Sequence, residues 1–202
     1  MTEIAVAPIV EGHGEQQSAI RALATRIWHE LLQGTSIEVL SPIRRPKSKL
    51  VKEDETLRAV DLAALKLAEV VADRKLVLLL LDADDDCPAI LGGRLRTLLQ
   101  QERPHIDSAV VIANVEYETW FVAAAQSLHQ YFDLSAAFIA DDPELARQGK
   151  ATVRKLMGGT YGETIDQPRL SAKMDLSICR ERSRSFSKLC RELSIRRGNV
   201  ES

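Results

Sequence analysis

Leu76-Val77-Leu78-Leu79-Leu80-Leu81-Asp82-Ala83-Asp84-Asp85-Asp86 joins six aliphatic residues to four carboxylates in five positions. A run that is apolar at every position has no solvent face, so the spacing predicts a strand over 75–82 buried on both sides. That is the habit of a parallel sheet under helices. The run is far short of the ~18–20 apolar residues that cross a bilayer. Helical patterns flank it. Upstream, 56–73 carries Leu57, Val60, Ala64, Leu67 and Val71 along one side. Downstream, Asp86 or Cys87 caps a helix with Pro88 in its first turn and Leu91, Leu95, Leu98 and Leu99 as its inner stripe.

The alternation extends both ways. Residues 4–10 form a first strand, in which Pro8 implies an edge, a bulge or an early end because it donates nothing to a ladder. Gly12 and Gly14 break the chain. A helix over 15–33 follows, with Ile20, Leu23, Ile27 and Leu31 inward and Gly34 closing it. Ile37 to Ile43 is a second strand and 108–114 a fourth. Strand and helix alternate four times, the signature of a layered α/β domain. The expectation is a mostly parallel four-stranded sheet with helices on both faces over 1–127. A helical C-terminal extension over 128–202 packs on it, with helices near 143–157, 170–180 and 183–194 and glycines 158, 159 and 162 between them.

Composition agrees. The 202 residues are 45% hydrophobic and 28% charged, enough to bury a core without disulfide staples, which excludes collagen-like, disordered and disulfide-scaffold classes. Cys87, Cys179 and Cys190 form no CxxC pair and read as reduced, buried thiols. With no readable signal peptide and no spanning segment, the expected location is the cytoplasm. The net charge of -2 hides an asymmetry: residues 147–202 carry 13 Lys and Arg against 6 Asp and Glu, while 1–146 carry 14 against 23. An acidic body with a basic end suggests a cation site beside a surface that meets polyanions.

Three acidic groups fall at strand ends, where open α/β sheets place their sites. In Val10-Glu11-Gly12-His13-Gly14-Glu15, Glu11 ends the first strand and Glu15 opens the helix. A carboxylate pair there can hold a divalent metal, although an acid at a helix start is also favoured by the helix dipole. His13, between glycines, reads as a solvated loop residue. Asp82 and Asp84 alternate, so an extended chain points both to one side. Such crowded acids are tolerated when a cation neutralises them, and oxygen-only ligands favour Mg²⁺, Mn²⁺ or Ca²⁺. In Asn114-Val115-Glu116-Tyr117-Glu118-Thr119-Trp120, Glu116 ends the fourth strand and Glu118 is a second ligand or a first-turn acid. Tyr117, Trp120 and Phe121 read as core.

Basic residues gather in one loop (Arg44, Arg45, Lys47, Lys49, Lys52), on a helix (Lys150, Arg154, Lys155), and in the tail (Arg169, Lys173, Arg180, Arg182, Arg184, Lys188). Any one is by default a solvated charge. Together with the acids they form the pattern of a metal-dependent phosphodiester enzyme: metals activate water, and cations hold the backbone. Arg44, Arg45, Lys47, Lys49, Arg169, Arg182 and Arg184 are the candidate nucleic-acid contacts.

These motifs resemble the Toprim domain, shared by topoisomerases, bacterial primases, recombination mediators and overcoming-lysogenization-defect nucleases. Within it the chain is most similar to a domain-of-unknown-function family of small stand-alone proteins, often encoded beside an ATPase. Gln167-Pro168-Arg169-Leu170-Ser171-Ala172-Lys173-Met174-Asp175-Leu176 adds to that likeness. The resemblance implies Glu11 as general acid or base or metal ligand, Asp82 and Asp84 as metal ligands, and Glu15 and Glu116 completing a two-metal site. Lys173 would neutralise transition-state charge. It further implies Mg²⁺ or Mn²⁺ as cofactor, DNA as substrate, an ATPase partner, a homo-oligomer and phage defence. No tyrosine is placed as in a topoisomerase, and no zinc finger or helicase segment marks a replicative primase. Two other readings stand beside the nuclease. One is a non-catalytic module that binds nucleic acid or an ATPase. The other is a haloacid-dehalogenase-type phosphatase using Asp82 and Asp84, which would leave Glu11 without a role.

Overall fold

The computed structural model describes residues 1–12, 18–137, 139, 141–145 and 148–197. Five strands form one sheet: β1 (Thr2–Val10), β2 (Ile37–Val39), β3 (Ile43–Arg44), β4 (Ala72–Asp82) and β5 (Ser108–Ala113). All pairings are parallel, in the order β2-β1-β4-β5, and β3 also pairs with β1. The sheet therefore has five strands rather than the expected four, because the predicted 37–43 strand is broken at Leu40-Ser41-Pro42 into two pieces along the same edge of β1.

That break corrects the reading of Pro8. Proline lies in the middle of a central strand, paired in register with Leu78. The carbonyls of Val6 and Val10 accept from the amides of Leu40 and Arg45. Strand alternation turns the imide nitrogen of Pro8 to that same side, opposite the Leu40–Pro42 break. The missing donor faces a gap in the ladder, where it costs nothing.

The sheet alternates at period two between two cores. One face (Ala5, Ala7, Ile9, Val77, Leu79, Leu81, Val110, Ile112) packs on α3 (Glu53–Ala68) and α4 (Pro88–Glu102). The inward residues of α4 are Leu91, Leu95 and Leu99, whereas Val71, expected inside, lies beyond the end of α3 and is exposed. The short α2 (Lys47–Leu50) tucks Leu50 into this core. The opposite face (Ile4, Val6, Val10, Leu76, Leu78, Leu80, Val111) packs on α1 (Ile20–Arg26), α5 (Thr119–Ala123) and α6 (Gly149–Leu156). It also carries α7 (Glu163–Ser171), α8 (Leu176–Arg182) and α9 (Arg184–Ile195). The C-terminal helices thus close one face of the sheet, and Leu193 belongs to the same core as Ile4.

Two local readings change. After α1 the helix loosens into a π turn over Ile27–Leu31. The left-handed residue that ends it is Gln33, at φ 54°, not Gly34. Gly34 is there because a Cβ would lie 2.1 Å from Trp28 Nε1. The Trp28 indole donates to Glu3 Oε2 at 3.1 Å, which fixes this helix end to the start of β1.

Candidate functional site

From β1 the chain moves to β2 on one side, and the later strands β4 and β5 build outward on the other. This reversal makes the carboxyl ends of β1 and β4 a topological switch point, the crevice where open α/β sheets bind ligands. Glu11 follows β1 and Asp82 ends β4, so the two strongest sequence candidates meet there.

Glu11 accepts a hydrogen bond from the Asp82 amide, yet its Oε2 is buried without a hydrogen-bond partner. Burial, and then the neighbouring Asp84 charge, raise its pKa above the usual carboxylate value, against the pull of Lys47 and Lys150. Asp82 Oδ1 accepts from the Tyr117 amide at 2.9 Å, tying β4 to the turn after β5. Arg44 pairs in register with Val10 and keeps a buried Nε without a partner at the same edge.

Asp84 does not continue the strand. It turns left-handed, φ 50°, so it does not alternate with Asp82 as an extended chain would require. Its amide donates to the carbonyl of Val115 at 2.9 Å, and Val115 is itself at φ 62°. For a β-branched residue that is a genuine outlier, and such strain gathers at functional sites, at about 1–3 kcal/mol per residue.

The aspartate cluster finds its cation within the chain. Lys47 Nζ donates to the Ala83 carbonyl at 2.6 Å and pairs with Asp84 Oδ2 at 2.9 Å and Asp86 Oδ2 at 3.1 Å. These two aspartates hold its pKa up although burial opposes it. Lys47, expected to meet nucleic acid, is therefore turned into the acidic turn. A second lysine, not chosen as a site residue from the sequence, balances the other flank. Lys150 pairs with Glu163 at 2.9 Å and lies within electrostatic reach of Glu11, Glu116 and Glu118. Its pKa is raised by Glu163 and Glu118 against burial.

Glu116 Oε2 accepts the Lys150 amide at 2.7 Å, so it caps the start of α6. Gly149 makes that approach achievable: a Cβ would lie 2.8 Å from the Thr119 amide and 3.3 Å from Glu116 Oε2. Glu118 turns inward. It is 1% exposed and accepts from Tyr161 Oη at 2.7 Å, with its pKa raised by burial. Tyr117, Trp120 and Phe121 are core, as expected: Tyr117 and Trp120 rings lie 4.7 Å apart.

The remaining candidates scatter. Arg45 is half-buried beside Arg44 and Lys49 is exposed on α2, both near the carboxyl edge. Lys173 is exposed in the turn after α7, and the lysines beside Glu11 are Lys47 and Lys150. Arg169 pairs with Asp166 at 2.6 Å and stacks over Tyr131. Arg182 donates to the Ala123 and Asp141 carbonyls. Arg184 meets Glu144 and Asp142 at the far end of the sheet. Glu15 and His13 lie outside the described residues.

Among the described residues no three His, Cys, Asp or Glu side chains form a ready-made metal cluster. Mg²⁺, however, is commonly held by one or two carboxylates with water and substrate phosphate supplying the rest. The buried open oxygen of Glu11, with Asp82 and Asp84 beside it, fits that oxygen-only chemistry.

Residues 10–194 match the family model Domain of unknown function (DUF4276), and the chain belongs to that family. Comparison with curated proteins and with solved structures finds no match. No helix among the described residues is long and apolar enough to cross a membrane.

Proposed function

We propose that this member of the DUF4276 family is a Toprim-like, divalent-metal-dependent nuclease acting on DNA phosphodiesters. The observation that carries the reading is the orphaned, buried Oε2 of Glu11 at the switch point of the sheet. Leaving a buried acceptor unpaired costs ~1–3 kcal/mol, so it is retained where a ligand completes it. Glu11, Asp82 and Asp84 would hold Mg²⁺ or Mn²⁺. When bound, the ion supplies an activated water and charge neutralisation at the scissile phosphate.

The chain's own groups do the rest. Arg44 offers a buried donor with no partner, suited to a phosphate oxygen at the same edge. Arg45 and Lys49 flank it. Lys150 keeps positive charge beside Glu11. The left-handed turn takes Asp84 out of the strand, and its carboxylate meets Lys47. A cytoplasmic setting, an ATPase partner and a role against phage accompany this reading through the family likeness.

A second reading has its own support. Lys47 already neutralises Asp84 and Asp86, as in a site that needs no metal. That is the non-catalytic nucleic-acid-binding module. Incubating supercoiled plasmid with the protein in Mg²⁺, in Mn²⁺ and in chelator, beside Asp84→Ala, separates the two. The nuclease reading expects metal-dependent nicking by wild type that falls at least ~100-fold in the variant. Equal nicking by both overturns it. Plasmid retention in chelator without nicking, weakening steeply with salt, assigns the module instead.

A further inference from the structure

Lys150 apart, the basic end of the chain lies away from the carboxylate site, and three of its cations, Arg184, Lys188 and Arg191, line a groove of about 500 Å³ along the outer edge of β5. Among the described residues no strand lies beyond β5. The carbonyls of Asp107 and Ala113 accept from β4, so strand alternation turns the amides and carbonyls of Val110 and Ile112 outward into the groove. The walls are two helices running alongside. On α9, Arg184, Lys188 and Arg191 recur at spacings of four and three and form one cationic stripe. On α4, Ala89, Gly92, Gly93 and Arg96 face it at the same period. Gly93 keeps the groove open, since a Cβ there would meet nothing within 4 Å, while Gly92 lets α4 approach β5, where a Cβ would lie 3.3 Å from Ile112 Cγ1. Two such glycines inside an exposed helix each cost ~1 kcal/mol against alanine.

The β5 edge is capped at its start, where Arg196 Nη2 donates to the Ser108 carbonyl at 3.2 Å. From Val110 on it is not blunted by sequence: Ser-Ala-Val-Val-Ile-Ala has no lysine, proline or inward charge. We infer that the β5 edge takes up an acidic, extended segment of a partner protein as an added strand. Three features select that occupant. Donors and acceptors repeating every second residue match a peptide backbone, at about 6.6–6.8 Å per repeat. A phosphate strand offers acceptors only and would set anionic oxygens against the Val110 and Ile112 carbonyls. Arg96, Arg184, Lys188 and Arg191 call for negative side chains on the guest. A second copy pairing edge to edge would bring like charges together, the α9 stripe of each facing its own kind. Two of these cations have acidic neighbours of their own, Arg184 with Glu144 and Lys188 with Glu192, while Arg96 and Arg191 are exposed.

The test uses a fluorescent peptide alternating glutamate and valine, followed by anisotropy. Saturable binding is expected. It falls at least tenfold with Gly93→Leu, which fills the groove, and with Arg96→Glu combined with Arg191→Glu. It falls similarly when alternate peptide amides are N-methylated, a change that leaves the charge intact. Circular dichroism and melting of Gly93→Leu confirm that its fold is unchanged. No binding overturns the inference, as does undiminished binding by Gly93→Leu or by the N-methylated peptide. Displacement by a single-stranded oligonucleotide at lower concentration than by polyglutamate also overturns it, giving the groove to nucleic acid. A dimer that dissolves in Gly93→Leu overturns it in favour of a second copy.

Discussion

Two carboxylates at the carboxyl edge of the sheet, one at its centre and one beside the outer strand β5, are treated in opposite ways. Glu144, beside β5, is 5% exposed and its oxygens are taken up. Oε1 accepts from Ser183 Oγ at 2.7 Å, Ser185 Oγ at 2.7 Å and the Ser185 amide at 2.8 Å, and Oε2 meets Arg184 Nε at 3.3 Å. Burial opposes its charge, but these donors win and hold its pKa below the usual glutamate value. Glu11, at the β1–β4 switch point, is left with an open oxygen and a raised pKa. The first carboxylate anchors α9 to the loop before α6. The second is held back from full satisfaction, as expected of a group that serves something outside the chain.

The largest effect expected from breaking this contrast is at Glu144. Glu144→Ala takes the shared acceptor from the Ser183 and Ser185 hydroxyls and the buried Ser185 amide and should cost ~1–3 kcal/mol in denaturant unfolding. Its lowered pKa fixes the sign with acid: the stabilisation is complete above 4.5, the ordinary glutamate value, and is lost as pH falls through the lower folded-state value. A variant with unchanged stability and acid sensitivity would contradict the anchor.

Glu118 comes next. Burial raises its pKa, so folding takes up a proton there and stability falls as pH climbs above 4.5 toward the raised value. Glu118→Gln keeps an acceptor for Tyr161 and removes the buried charge. It should gain on the order of 1 kcal/mol at neutral pH, shrinking toward 4.5. A loss at neutral pH would show that Lys150 needs the charge more than the core resents it.

How much of this was written plainly in the chain depends on the kind of contact. The apolar runs of β4 and β5 and the leucine stripe of α4 declare themselves, because burial on regular elements leaves a period. Glu11 and Asp82 were legible because strand ends are where sites gather. Pro8 misled because its explanation lies at Leu40–Pro42, in another strand. Lys150, Gly149 and Tyr161 were passed over because their parts depend on how the 148–163 segment returns to the sheet. A Gly-Lys pair opening a helix was the available hint. Lys47 was read as an outward charge because sequence proximity to Arg44 and Arg45 says nothing of a partner 37 residues on.

The smallest effect concerns the strained turn. Val115→Gly removes a left-handed β-branched residue and should leave stability unchanged or raise it by up to ~1 kcal/mol. A loss greater than that would mean the Val115 side chain is needed for packing and that strain is not stored there.

The contrast between the two carboxylates is tested most directly by Mn²⁺ binding, read by electron paramagnetic resonance, in wild type, Glu11→Gln and Glu144→Gln. Wild type should bind Mn²⁺, Glu11→Gln should bind it at least ~10-fold more weakly, and Glu144→Gln, where folded, should match wild type. Equal Mn²⁺ affinity in wild type and Glu11→Gln would contradict the account, leaving the open oxygen of Glu11 without the role assigned to it.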